Sequence, residues 1–211
     1  IESNDDLTFL EDNAGFIMRS EKGGYSHLYK YAMNGKNEVQ LTKGNWEVSS
    51  LLGVDVINAK VYFTAHKTAP YNQEVYSVSL NGDEPALLSP ENGNSDASFS
   101  NSHDYFILYH SSANEPLTVK LFKSTGEEII ELENNDDLKT KIAALNLGDK
   151  EFFDFKTSEG VTLNGWMIKP NDFDKSKKYP VLMYVYGGPG SQTVTNSMGG
   201  NDLWHQMMAQ K

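Results

Sequence analysis

The chain has 211 residues, no cysteine, and 29 Asp and Glu against 18 Lys and Arg, a formal net charge of −11. That acidity, with no basic run anywhere, excludes a nucleic-acid partner, because affinity for a phosphate backbone comes from Lys and Arg displacing counterions. At 38% hydrophobic and 11% aromatic residues the chain can bury a real core, so disorder is excluded too, as are disulfides, thiolate metal sites and thiol nucleophiles.

The first 135 residues repeat a plan of strand, polar loop, strand, tight turn ending in Gly, and strand. The copies span residues 16–42, 61–88 and 105–132, and their first strands start at Phe16, Val61 and Tyr105, 45 and 44 residues apart. The turns are Asn34-Gly35, Asn81-Gly82 and Thr125-Gly126. Asn-Gly is a strong hairpin signal, since both central residues of a type I′ turn need positive φ. In the second copy Tyr76, Val78 and Leu80 alternate with Ser77 and Ser79, the period of a strand. Further short strands at 46–52 and 96–99 bring each unit to about four.

Four antiparallel strands every 40 to 50 residues describe a β-propeller blade; a β-sandwich of unrelated hairpins is the alternative. A propeller ring closes with about four to eight blades, so three leave it incomplete, and either further blades precede Ile1 or the open edges associate with another copy.

Beyond residue 135 the character changes. Leu138, Ile142 and Leu145 predict a short helix within 137–147. Strands are then predicted at 151–156, 163–169 and 181–186, the first two joined by the loop Thr157-Ser158-Glu159-Gly160. The third, Val181-Leu182-Met183-Tyr184-Val185-Tyr186, is apolar throughout, as in a parallel sheet buried on both faces. It is the longest apolar run, about a third of the roughly 20 residues a membrane helix needs. It leads into Gly187-Gly188-Pro189-Gly190, where an α/β-hydrolase places part of its oxyanion hole; the plain alternative is an ordinary Gly-Pro turn. The chain opens on Ile1 and stops at Lys211 inside the apolar stretch 203–209, which reads as the start of an amphipathic helix, so both ends are expected to be cut.

The run Lys177-Lys178-Tyr179-Pro180 through Tyr186-Gly187-Gly188-Pro189-Gly190-Ser191-Gln192, with Asp172-Phe173-Asp174-Lys175-Ser176 before it, resembles the start of the catalytic domain of the dipeptidyl peptidase IV family, within the prolyl oligopeptidase group of serine peptidases. Leu41-Thr42-Lys43-Gly44-Asn45-Trp46-Glu47-Val48 and Val61-Tyr62-Phe63-Thr64-Ala65 resemble its late blades. The resemblance implies all-β propeller blades in an incomplete ring, the last three of about eight, followed by the first strands of an α/β-hydrolase domain. The expected domains are blades over 1–135, a linker over 136–150, and the N-terminal part of the hydrolase over 151–211.

The resemblance further implies serine-nucleophile release of dipeptides from peptide substrates, usually after Pro or Ala. Tyr186 would direct its hydroxyl at the tetrahedral oxyanion. A phenol suits that task, because it is a neutral donor that stays protonated at neutral pH. The 211 residues contain no Gly-x-Ser-x-Gly elbow: Gly24-Tyr25-Ser26-His27-Leu28 lacks the closing Gly, and Gly190-Ser191-Gln192 follows a turn. The nucleophile, Asp and His are therefore expected beyond Lys211, and the chain alone is expected to be inactive. The glutamate pair with which the family holds a substrate's amino terminus has no counterpart here, so dipeptidyl specificity rests on likeness alone. An acylaminoacyl peptidase, a prolyl oligopeptidase and a non-catalytic propeller scaffold stay open.

No cofactor and no metal site is expected. His103 and His110, seven apart across a strand pattern, would face opposite ways. They, with His27, His66 and His205, read as surface or satisfied histidines. Glu131, Glu133, Asp136 and Asp137 lack the EF-hand spacing and read as a solvated edge, and Trp46 and Trp166 as core aromatics. The lack of cysteine and the likeness to extracytoplasmic bacterial members point to the periplasm, and dimerisation through the catalytic domain is implied by the resemblance.

Overall fold

The computed structural model describes residues 7–186, 188, 191–199 and 202–211. These residues carry strands β1 (Leu7–Phe9), β2 (Phe16–Ser20), β3 (His27–Tyr31), β4 (Val39–Gln40), β5 (Glu47–Asp55), β6 (Lys60–His66), β7 (Glu74–Ser79) and β8 (Ala86–Leu87). Then follow β9 (Asn94–Phe99), β10 (Tyr105–Ser111), β11 (Thr118–Lys123), β12 (Glu128–Glu133), helix α1 (Asp136–Ala144), β13 (Lys150–Lys156), β14 (Thr162–Ile168) and helix α2 (Asp202–Ala209). The chain divides into two compact units, Ile1–His110 with Thr118–Asn134, and Ser111–Leu117 with Asn135–Lys211.

The first unit holds three antiparallel four-stranded meanders, β1 to β4, β5 to β8 and β9 to β12. Each is a propeller blade, and the three do not close a ring. The strands expected between the repeats are β5 and β9, which open the following blades. The turn glycines Gly35, Gly82 and Gly126 all have positive φ, as their hairpins require. At Gly82 a Cβ would also meet the Gln40 carbonyl oxygen at 2.6 Å, so this turn is pressed against the preceding blade.

The core lies between blades. Val61, Phe63 and Ala65 of β6, with Tyr76 and Val78 of β7, join Ile17, Leu28 and Leu41 of the first blade. The opposite face of the middle blade packs the other way: Val75 joins Ala97, Phe106 and Leu108 of the third blade, and Tyr62 stacks on Phe99 with ring centroids 4.2 Å apart. Because both faces are covered, β6 is buried almost end to end, and each large side chain there contributes roughly 1.5–3 kcal/mol. Polar clips cross the same seams. Arg19 donates to the Ser49 carbonyl at 2.8 Å, and Gln73 forms a parallel bridge with Asn94.

His27 locks the first blade. Gly44 offers only a carbonyl oxygen to Nε2, 3.0 Å away, which assigns the ring proton to that nitrogen. Nδ1 then accepts from the Thr42 hydroxyl at 3.0 Å, and the same hydroxyl oxygen accepts the Leu28 N–H at 3.0 Å. Trp46 closes over the imidazole edge-on at 4.8 Å.

In the second unit β13 and β14 form the expected hairpin, paired from Lys150 with Ile168 to Lys156 with Thr162. Helix α1 falls where the apolar spacing put it but buries none of its residues. The prediction for 181–186 is corrected: these residues form no strand, and every side chain from Val181 at 81% to Tyr186 at 56% is exposed. A strand apolar on both faces needs neighbours on both edges and a layer on each side, and the described residues supply neither.

Candidate active-site loop

The segment leading to the loop is tied by local bonds. Asp174 accepts from the Ser176 N–H at 2.9 Å and from its hydroxyl at 2.8 Å. Those two donors hold the Asp174 carboxyl below the usual aspartate range. The Asp174 N–H donates to the Tyr179 hydroxyl at 2.9 Å, and Phe173 stacks on Tyr179 with centroids 5.1 Å apart. The Asp-Phe-Asp-Lys-Ser run is thus a compact turn that sets the direction of the chain into 181–186.

Tyr186 ends that run with its ring half exposed and folded over Gly188. A Cβ at Gly188 would lie 2.8 Å from the Tyr186 hydroxyl oxygen and 2.8–2.9 Å from two ring carbons. Glycine is therefore what lets a phenol occupy the space above the loop backbone. The residue as a whole stays 56% exposed. Gly187, Pro189 and Gly190, the other members of the glycine-rich motif, lie outside the described residues.

Downstream, the chain is pinned by a polar network. Asn196, buried, accepts the Ala113 N–H at 2.8 Å. Lys150, whose side chain is only 6% exposed, donates to the Ser197 carbonyl at 3.2 Å and to the Asp202 carboxylate at 3.0 Å, and lies 5.0 Å above the Trp166 ring. The Lys150 backbone N–H donates to Asn114 at 2.9 Å. Gln206 exchanges two hydrogen bonds with the backbone of Gly148, at 2.9 and 2.6 Å. Apart from Trp166, read as a core aromatic, none of these residues was singled out in the sequence; the hydrogen-bonded partners stand 36 to 83 positions apart, and no local pattern marks them.

The other candidates are structural. Ser26 is buried in the first blade. His66 Nδ1 meets the Asn72 carbonyl, and His110 Nδ1 bonds the Ser95 hydroxyl at 2.8 Å. His103 lies before β10 with φ +57 and stacks on Tyr62, so strand alternation does not govern its direction. His205 departs from the expectation of a satisfied histidine: Nδ1 is buried without a hydrogen-bond partner, between Trp166 and Trp204. Glu131 reaches Lys120 at 3.7 Å, and among the described residues no cluster of His, Asp or Glu could hold a metal ion. Trp46 packs against the first inter-blade core, and no described helix is long and apolar enough to cross a membrane.

The model of the dipeptidyl peptidase IV (DPP IV) N-terminal region matches residues 1–117, more than half of the chain. The chain belongs to the dipeptidyl peptidase IV family. Dipeptidyl peptidase 4 of Trichophyton equinum is 36% identical over 204 residues, 93% of this chain and 26% of that protein. The probable dipeptidyl-aminopeptidase B of Arthroderma otae is 36% identical over 186 residues, 85% of this chain and 20% of its own. The crystal structure of Porphyromonas gingivalis dipeptidyl peptidase 4 superposes with a TM-score of 0.89 at 37% identity, over 97% of this chain and 28% of that one. This dipeptidyl peptidase IV family chain thus spans about a quarter of the length of the relatives it matches.

Proposed function

We propose that these residues are the late propeller blades and the first part of the α/β-hydrolase domain of a serine-type dipeptidyl peptidase, divided at about 135 and 151. In this reading the enzyme removes amino-terminal dipeptides, preferentially after Pro or Ala. The observation that carries it is the 36–37% identity to proteins named dipeptidyl peptidase 4, sustained over more than nine-tenths of the chain.

Tyr186 is the oxyanion donor of this reading. Its support is the exposed Tyr186 side chain lying over Gly188, together with the family motif around it. As the carbonyl carbon becomes tetrahedral, charge grows on its oxygen, and a donor already in place stabilises that charge without reorganising. With no Gly-x-Ser-x-Gly elbow in these 211 residues, the nucleophile, its His and its Asp come from elsewhere, and the chain by itself turns over nothing. We place the enzyme in an extracytoplasmic compartment, as a dimer joined through its catalytic domain.

The full-length protein should release nitroaniline from Gly-Pro-p-nitroanilide but not from its N-acetylated form, while the 211-residue chain releases none from either. Cleavage of the blocked substrate instead would favour an acylaminoacyl or prolyl oligopeptidase activity. Silence of the full-length protein on both would favour a propeller scaffold without catalysis.

A further inference from the structure

Tyr186 is not held by packing around its own ring, so its position depends on how firmly the chain is fixed on either side. Upstream the Asp174 turn is exposed and local. Downstream, ten residues on, the chain is clamped at Asn196, Ser197 and Asp202, and Lys150 carries two of those three contacts. Asp202 gathers a second donor, since its Oδ2 also accepts the Gly199 N–H at 2.6 Å, just ahead of the first turn of α2. Burial makes the arrangement stringent: a buried ammonium with one partner removed is left uncompensated, whereas the complete set of carboxylate, carbonyl and indole face satisfies it.

We propose that Lys150 is a positioning residue for the reaction, its ammonium fixing the downstream end of the loop from which Tyr186 reaches the oxyanion. This rests on the reading of Tyr186 given above. Lys150 touches no substrate and moves no proton; Asp202 and the Ser197 carbonyl are the handles through which it acts.

The test uses the full-length protein and Gly-Pro-p-nitroanilide. Lys150→Met keeps the side-chain length and the packing on Trp166 but removes the charge, and should lower kcat by about tenfold or more with KM changed less than about twofold. Asp202→Asn should give a similar loss, the double variant no more than either alone, and Lys150→Arg should recover most of the turnover. On a Tyr186→Phe background, Lys150→Met should cost less than about twofold, because the group it positions is already gone. An undiminished kcat in a folded Lys150→Met protein, or the same fold loss on the Tyr186→Phe background, would overturn the proposal. Should Lys150→Met fail to fold by circular dichroism, Asp202→Asn and Lys150→Arg decide by the same criteria. A Tyr186→Phe enzyme with normal turnover would instead remove the reading of Tyr186, a distinct result.

Discussion

Replacing Gly188 by alanine puts the account of the loop under direct strain. The new methyl group would sit 2.8 Å from the Tyr186 hydroxyl oxygen and 2.8–2.9 Å from two ring carbons. Carbon atoms settle at about 3.5–4.0 Å, so something must retreat by roughly 0.7–1 Å. The ring will yield, because it is 56% exposed and can swing outwards without disturbing a core. Stability should therefore change by no more than about 0.5 kcal/mol, as for an ordinary surface substitution. Turnover should respond differently, since a displacement of about 1 Å of a positioned group can cost about 10²-fold, or roughly 2.7 kcal/mol of barrier. In the full-length protein, steady-state kinetics on Gly-Pro-p-nitroanilide and a thermal melt separate the two effects. The expected result is kcat down about a hundredfold, KM within about twofold and an unchanged melting temperature. A Gly188→Ala enzyme with normal kcat would show that the approach of the phenol to residue 188 has no part in catalysis.

Four further substitutions probe the blades. Thr42→Val keeps the shape but strips the buried Leu28 N–H and His27 Nδ1 of their shared partner, and should cost about 2–3 kcal/mol in urea unfolding; a loss below about 0.5 kcal/mol would contradict the assigned network. Gly82→Ala and Gly35→Ala both place alanine at positive φ, but only the first drives a Cβ into a backbone carbonyl, so Gly82→Ala should be the more destabilising by at least about 1 kcal/mol. Burial, with a smaller contribution from the Lys120 cation, depresses the pKa of His110 below its ordinary 6.5. The unfolded chain then takes up the proton first, so this group's contribution to stability is complete above pH 6.5 and is lost as pH falls through the folded value. His110→Asn should flatten that part of the urea midpoint's pH profile, and an unaltered slope between pH 7.5 and 5.5 would count against it.

The propeller was legible because its signals are local. Asn34-Gly35 and Asn81-Gly82 mark hairpins wherever they stand, and the spacing of the first strands is a count along the chain. The orientation of the middle blade was less legible. Val61 to Ala65 is apolar at nearly every position because Phe63 faces one neighbouring blade and Tyr62 the other, and a period-two reading has no face left to call polar. The hairpin of β13 and β14 followed from its turn, while 181–186 did not pair, since an apolar run records the burial it suits and not which residues provide it. Tyr186 and Gly188 stood out by motif, and their close approach explains the glycine. Lys150, Asn196 and Asp202 left no trace in the sequence, because a buried ion pair between positions 52 apart has no periodicity to betray it.

The proposed oxyanion donor is a single hydroxyl, so it can be removed without altering the rest of the ring. Tyr186→Phe in the full-length protein, assayed for kcat and KM on Gly-Pro-p-nitroanilide, should lose about 10²- to 10³-fold in kcat with KM nearly unchanged, the signature of a donor engaged only in the transition state. Turnover equal to that of the unaltered enzyme, in a protein with the same melting temperature, would contradict the account.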